Sequence, residues 1–139
     1  MDNQYEIINL DKHIYGKLLC ALKERSTSFN LVSPNTHFDK DNKNLLNEYH
    51  NESIKTLSDY CLSSKWVKKW PGTKNSKKVA CYTYKTDPFC IKYLHKFTSF
   101  FQLEEQMDIS FFNGDTCLCY TISHEKLCYI RKNFFSEYV

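Results

Sequence analysis

Between Asp108 and Ile130 the chain reads DISFFNGDTCLCYTISHEKLCYI, three short runs rich in aromatic and β-branched residues, parted by Asn113-Gly114 and by Ser123-His124-Glu125. Asn and Gly accept the positive φ of a tight hairpin turn, and the flanking runs alternate as strands do. The segment predicts a three-stranded antiparallel meander. Two earlier stretches also have strand character: TSFNLVS (27–33), and KVACYTYK (78–85), where Val79, Cys81 and Thr83 alternate with Ala80, Tyr82 and Tyr84.

Helical spacing fills most of the remainder. Ile14, Leu18, Leu19 and Leu22 follow Asp11, a residue type that caps helix N-termini, and predict a first helix over His13 to Arg25. After the polar connection SPNTHFDKDNKN, the residues Leu45, Leu46, Tyr49, Ile54, Leu57 and Cys61 form a looser helical stripe running to about Cys61. Asp87-Pro88 supplies a cap and a first-turn proline for a third helix to about Phe101, with Phe89, Tyr93, Phe97 and Phe100 on one side. With 139 residues, 42% of them hydrophobic, and only three Gly and three Pro, the chain is expected to form a single α+β domain over 1–139. About three helices pack against an antiparallel sheet that ends in the meander.

The first residues, MDNQYEIINLDKH, lack a basic start followed by an apolar run, and no apolar stretch is long enough to span a bilayer. A cytoplasmic protein without membrane contact is expected. The seven cysteines (Cys20, Cys61, Cys81, Cys90, Cys117, Cys119 and Cys128) are then read as reduced, mostly buried thiols.

Cys117, Cys119, His124 and Cys128 deserve a metal reading, because thiolates and imidazole suit tetrahedral zinc and the four fall within twelve residues. Strand geometry opposes it. Cys117 and Cys119 share a strand face, His124 falls in the next bend, and Cys128 has the opposite parity to Leu127 and Tyr129 on a neighbouring strand, so convergence requires a bulge. Neither a metal nor another cofactor is expected, and zinc binding stays as the minority alternative. Ser123, His124 and Glu125 are consecutive and point to alternating sides, so they form no triad among themselves. Position 128 is Cys, which removes the H-E-x-x-H pattern of zinc proteases. No Walker loop, G-x-G-x-x-G run or nucleophile elbow occurs, and no catalysis is expected.

Charge supplies the other candidate site. The formal charge is +3, yet Lys65, Lys68, Lys69, Lys74, Lys77 and Lys78 all fall in KWVKKWPGTKNSKK, which holds no acidic residue. The rest of the chain is therefore net negative. Read as a basic loop, the stretch interleaves those lysines with Trp66 and Trp70. That combination suits an acidic protein surface anchored by indoles, or single-stranded nucleic acid held by phosphate contacts and base stacking. A solvated loop fastened to the core by its tryptophans accounts for the same residues.

Trp70-Pro71-Gly72-Thr73, the strand that follows it, the acidic-aromatic strand with Asp108, Phe111, Phe112 and Gly114, and the segment Ile122-Ser123-His124-Glu125 together resemble a pattern found in small bacterial proteins. Those proteins are similar to the immunity proteins encoded beside polymorphic or contact-dependent toxins. The resemblance covers about the C-terminal half of the chain, and the seven cysteines depart from its pattern. It implies binding and neutralisation of a cognate toxin domain by protein–protein contact, with the Ile-Ser-His-Glu segment as framework. Lys65, Trp66, Lys68, Lys69, Trp70, Lys74, Lys77 and Lys78 are the expected contact residues.

Overall fold

The computed structural model describes residues 4–41, 46 and 51–135. Its centre is a seven-stranded antiparallel sheet of order β1-β7-β6-β5-β2-β4-β3, built from β1 (Tyr5–Ile8), β2 (Ser28–His37), β3 (Cys61–Trp70), β4 (Thr73–Lys85), β5 (Asp108–Asn113), β6 (Thr116–Ile122) and β7 (Leu127–Arg131). The helices are α1 (Lys12–Arg25), α2 (Glu52–Thr56), α3 (Pro88–Leu94) and α4 (Lys132–Phe135). The fold is thus α+β and antiparallel as expected, and the meander β5-β6-β7 is present. The sheet is larger than the strands read from the sequence, because β1 and β3 flank it as edges. An edge strand need not bury a regular apolar face, so lysines in β3 and a half-exposed β1 hide the alternation that marks a strand.

Strand parity divides the sheet into two faces. Phe29, Leu31, Ala80, Tyr82, Tyr84, Ile109, Phe111, Cys119, Cys128 and Ile130 point to one face and pack with Leu18, Leu19 and Leu22 of α1, Ile54 of α2 and Leu94 of α3. The Tyr15 hydroxyl donates to the Leu94 carbonyl at 2.6 Å and ties α1 to α3 across this core. The opposite face carries a smaller cluster of Val32, Trp70, Val79 and Cys81, with Val67 against it. No described helix covers that second face.

Local chemistry sets the helix ends. The Asp11 carboxylate accepts from the Ile14 amide at 2.8 Å, and the Asp87 carboxylate accepts from the Phe89 amide at 2.9 Å ahead of Pro88. The third helix stops at Leu94, short of the expected Phe101. Beyond it the Gln102 side chain accepts from the Thr98 amide at 2.6 Å and Ser99 Oγ accepts from the Phe101 amide at 3.2 Å, so side chains take over backbone partners that a continuing helix would use. The second expected helix is also shorter: Asn51 caps α2, a 3-10 turn at Ser58–Tyr60 follows, and Cys61 already begins β3. The parts of that stripe at Leu45 and Tyr49 lie outside the described residues. The first meander turn is one residue later than read: Asn113 pairs with Thr116, and Gly114-Asp115 form the corner, with Gly114 at φ +58°. Positive φ at the first corner residue alone is the type II′ pattern.

Candidate functional site

The lysine-rich stretch is a β-hairpin, which corrects its reading as a loop. β3 and β4 pair along their length, Trp70 faces Thr73, and Pro71-Gly72 make a two-residue turn with Gly72 at φ +81°. Register breaks at Cys61/Ser63 and at Val67/Lys69 interrupt the pairing. The tip folds back over the helix-free face onto β6. A Cβ on Gly72 would lie 2.5 Å from Tyr120 Cε2 and 3.3 Å from Ile122 Cγ1, so only glycine allows this approach.

Beside the turn, Trp70 is only 7% exposed. Its indole Nε1–H donates to Asp108 Oδ2 at 2.8 Å, and Asp108 Oδ1 accepts from the Ser123 amide at 2.8 Å. The Ser123 hydroxyl donates to the Met107 carbonyl at 2.8 Å and lies 3.0 Å from Thr121 Oγ1, which itself accepts from the Ile109 amide at 3.1 Å. Asp108 is 5% exposed, and both carboxylate oxygens are occupied. The hairpin turn, the acidic strand and the Ile-Ser-His-Glu segment, far apart in sequence, thus meet at one carboxylate. Trp70, expected among the contact residues, is thus buried, with its indole N–H spent on Asp108.

Trp66 behaves differently. It points toward the helix-covered side, half-buried, and meets Phe38 edge-on with ring centroids 5.5 Å apart. Phe38 is 37% exposed, its amide donates to the Lys78 carbonyl at 2.9 Å, and Lys78 Nζ sits 5.6 Å from its ring centroid. Lys65, Lys68, Lys69, Lys74, Lys77 and Lys78 are all exposed. The structure therefore gathers Trp66, Phe38 and Lys78 on one side of the hairpin, while Lys65 pairs with Cys81 and lies on the opposite side. The sequence carried no signal for Phe38, because it follows β2 inside a stretch that reads as polar connection and reaches the hairpin only through pairing of β2 with β4.

The four metal-competent residues are not brought together. Ile122 pairs with Leu127 across the second turn, which puts Cys128 opposite Thr121 on the face of Cys119, with Leu127 and Tyr129 on the other face as expected. The Cys119 and Cys128 sulfurs are 3.8 Å apart in the core. Leu118 is an extra residue in β6, since Phe111 pairs with Cys119 and Phe112 with Cys117, so this bulge turns Cys117 to the other face. His124 is exposed in the turn, which Lys126 closes in the left-handed conformation. Among the described residues no group of three or more His, Cys, Asp or Glu side chains could hold a metal ion. Burial pushes the Cys81, Cys90 and Cys117 thiols up to about 11, and the contact with Cys128 together with burial holds Cys119 well above its ordinary value. These thiols stay protonated near neutrality and are poor nucleophiles.

Among the described residues, no helix is long and apolar enough to cross a membrane. The chain matches no protein-family model, and no curated protein or solved structure matches it at a significant level.

Proposed function

We propose that this protein is a cytoplasmic immunity protein that binds a cognate toxin domain and neutralises it by contact, with no chemistry of its own. The observation that carries this reading is the hairpin: six exposed lysines without an acidic residue between them, on a strand pair whose turn is fastened by Trp70 to Asp108. The backbone of such a surface is preorganised, so association has only side chains to order, and its single sign of charge steers an acidic partner toward it. Trp66 and Phe38 supply the partly apolar anchor at its base. Nucleic acid bound by the same lysines is the competing reading, which ionic strength separates from protein binding: phosphate contacts release counterions and make affinity fall steeply with salt.

The test uses the product of a toxin-sized reading frame immediately beside this one. Co-expression of the wild-type protein should restore growth, and Lys68→Glu with Lys69→Glu should weaken the purified complex by about tenfold or more, as reversal of clustered interface charges does. Absence of such a frame, or no binding by the wild type, overturns the reading.

A further inference from the structure

The helix-free face of the sheet is unlike the rest of the surface. At its β1-β7-β6 end Tyr5, Tyr120 and Tyr129 form a continuous aromatic ladder, Tyr120 stacked on Tyr129 with centroids 4.9 Å apart and Tyr5 edge-on to Tyr120 at 5.2 Å. Ile7 pairs with Tyr129 on the same side and is 60% exposed. Arg131 lies over the Tyr5 ring at 5.9 Å, and Lys65 points to this face from the far edge strand. The only carboxylate that the strands direct to this face is Asp108, which is buried and doubly bonded. No described element covers the ladder, and the hairpin turn rests only against its Tyr120 end.

We infer that this face receives the partner: an acidic protein surface docks with Ile7 and Tyr129 as its apolar anchor and with Arg131 beside them as its cation. The inference rests on the toxin-neutralising reading above and moves the centre of contact from the outer flank of the hairpin to the open sheet. Tyr and Arg around an exposed aliphatic residue are the composition of interface hot spots, and a face to which the described strands direct no exposed carboxylate fits an acidic partner. The same rings fit nucleic acid poorly. Tyr120 and Tyr129 spend a face on each other and Arg131 lies over Tyr5, which leaves fewer ring faces for base stacking.

The experiment compares wild type with Ile7→Asp, Tyr129→Ala and Arg131→Glu, using the toxin domain from the adjacent reading frame as the probe. Each variant should lower affinity by about thirtyfold or more, the loss expected of a hot-spot residue, while thermal unfolding of the free protein stays cooperative. Ile7→Asp is the decisive variant, since the exposed Ile7 side chain can change without unfolding the chain. For any variant that fails to fold, amide exchange of β1 and β7 in the wild-type complex replaces it, with slower exchange on binding as the expected result. If wild type binds and the variants bind within about threefold of it, and β1 and β7 exchange unchanged, the open face is not the contact and the immunity reading stands without it. If wild type does not bind, both fall. If wild type alone is a dimer by light scattering and Ile7→Asp makes it a monomer, the face joins two copies of this chain and the inference is overturned. Binding of a single-stranded oligonucleotide that Tyr129→Ala abolishes overturns it as well.

Discussion

Asp108 ties the hairpin to the end of the meander through a single carboxylate. A carboxylate with little access to water survives only when its oxygens are bonded, and here an indole N–H and a backbone N–H serve it, each at 2.8 Å. Removal of the acceptor strands two buried donors at once. Asp108→Ala should therefore cost about 2–4 kcal/mol, and Trp70→Phe, which keeps the ring but deletes one donor, about 1.5–3 kcal/mol. Urea denaturation of both variants measures this, and the double variant should fall short of the sum because the two residues share one bond. A loss below about 0.5 kcal/mol for Asp108→Ala, the level of an ordinary surface substitution, would show that the carboxylate is not the junction of hairpin and meander. Aspartate and tryptophan at these positions are read from the sequence as parts of a pattern; what they do is long-range geometry. Trp70 and Asp108 stand 38 residues apart, and no local periodicity connects them.

At the scale of elements, the hairpin depends on Gly72. Its φ of +81° disfavours any side chain by about 1–2 kcal/mol, and its approach to Tyr120 leaves no room for a methyl group. Tyr120 cannot retreat easily, since Tyr129 stacks on it and Tyr5 meets it edge-on. Gly72→Ala should destabilise the protein by more than the φ penalty alone, and Tyr120→Ala in the same chain should return part of that excess. Independent, additive costs in a double-mutant cycle would refute close packing of the turn on β6. Elements with local causes were legible in the sequence. α1 and the start of α3 follow from Asp caps, and the meander follows from alternation and turn residues. Elements set by pairing were not. β3 shows no apolar alternation because it is an edge, and the faces of Cys117 and Cys128 depend on a bulge at Leu118 and on the register across the second turn. The lysines of β3 have a structural consequence besides their charge: together with two register breaks they discourage a second sheet from adding to this edge. The opposite edge, β1, carries no lysine and exposes Ile7.

For the molecule as a whole, charge is concentrated on one hairpin while buried thiols stay protonated. Positive charge gathers on one hairpin of a chain that is otherwise net negative, so association with an acidic partner should be fastest at low ionic strength. The interior sets a separate limit at alkaline pH. Burial raises the Cys81, Cys90 and Cys117 thiols from an ordinary value of 9.0 to about 11. Between those values the unfolded chain has released protons that the folded chain still holds. Stability then falls as pH rises, because the state binding fewer protons is favoured when protons become scarce. The contribution of these thiols is complete below about pH 9 and is lost progressively toward about pH 11. Urea midpoints taken at about pH 8 and about pH 10.5 should decline, and Cys81→Ala should make that decline shallower whatever its effect on the stability at pH 8. An unchanged slope in Cys81→Ala would mean that the Cys81 thiol is not held protonated by the second core cluster, and that the tip of the hairpin admits water to the face it covers.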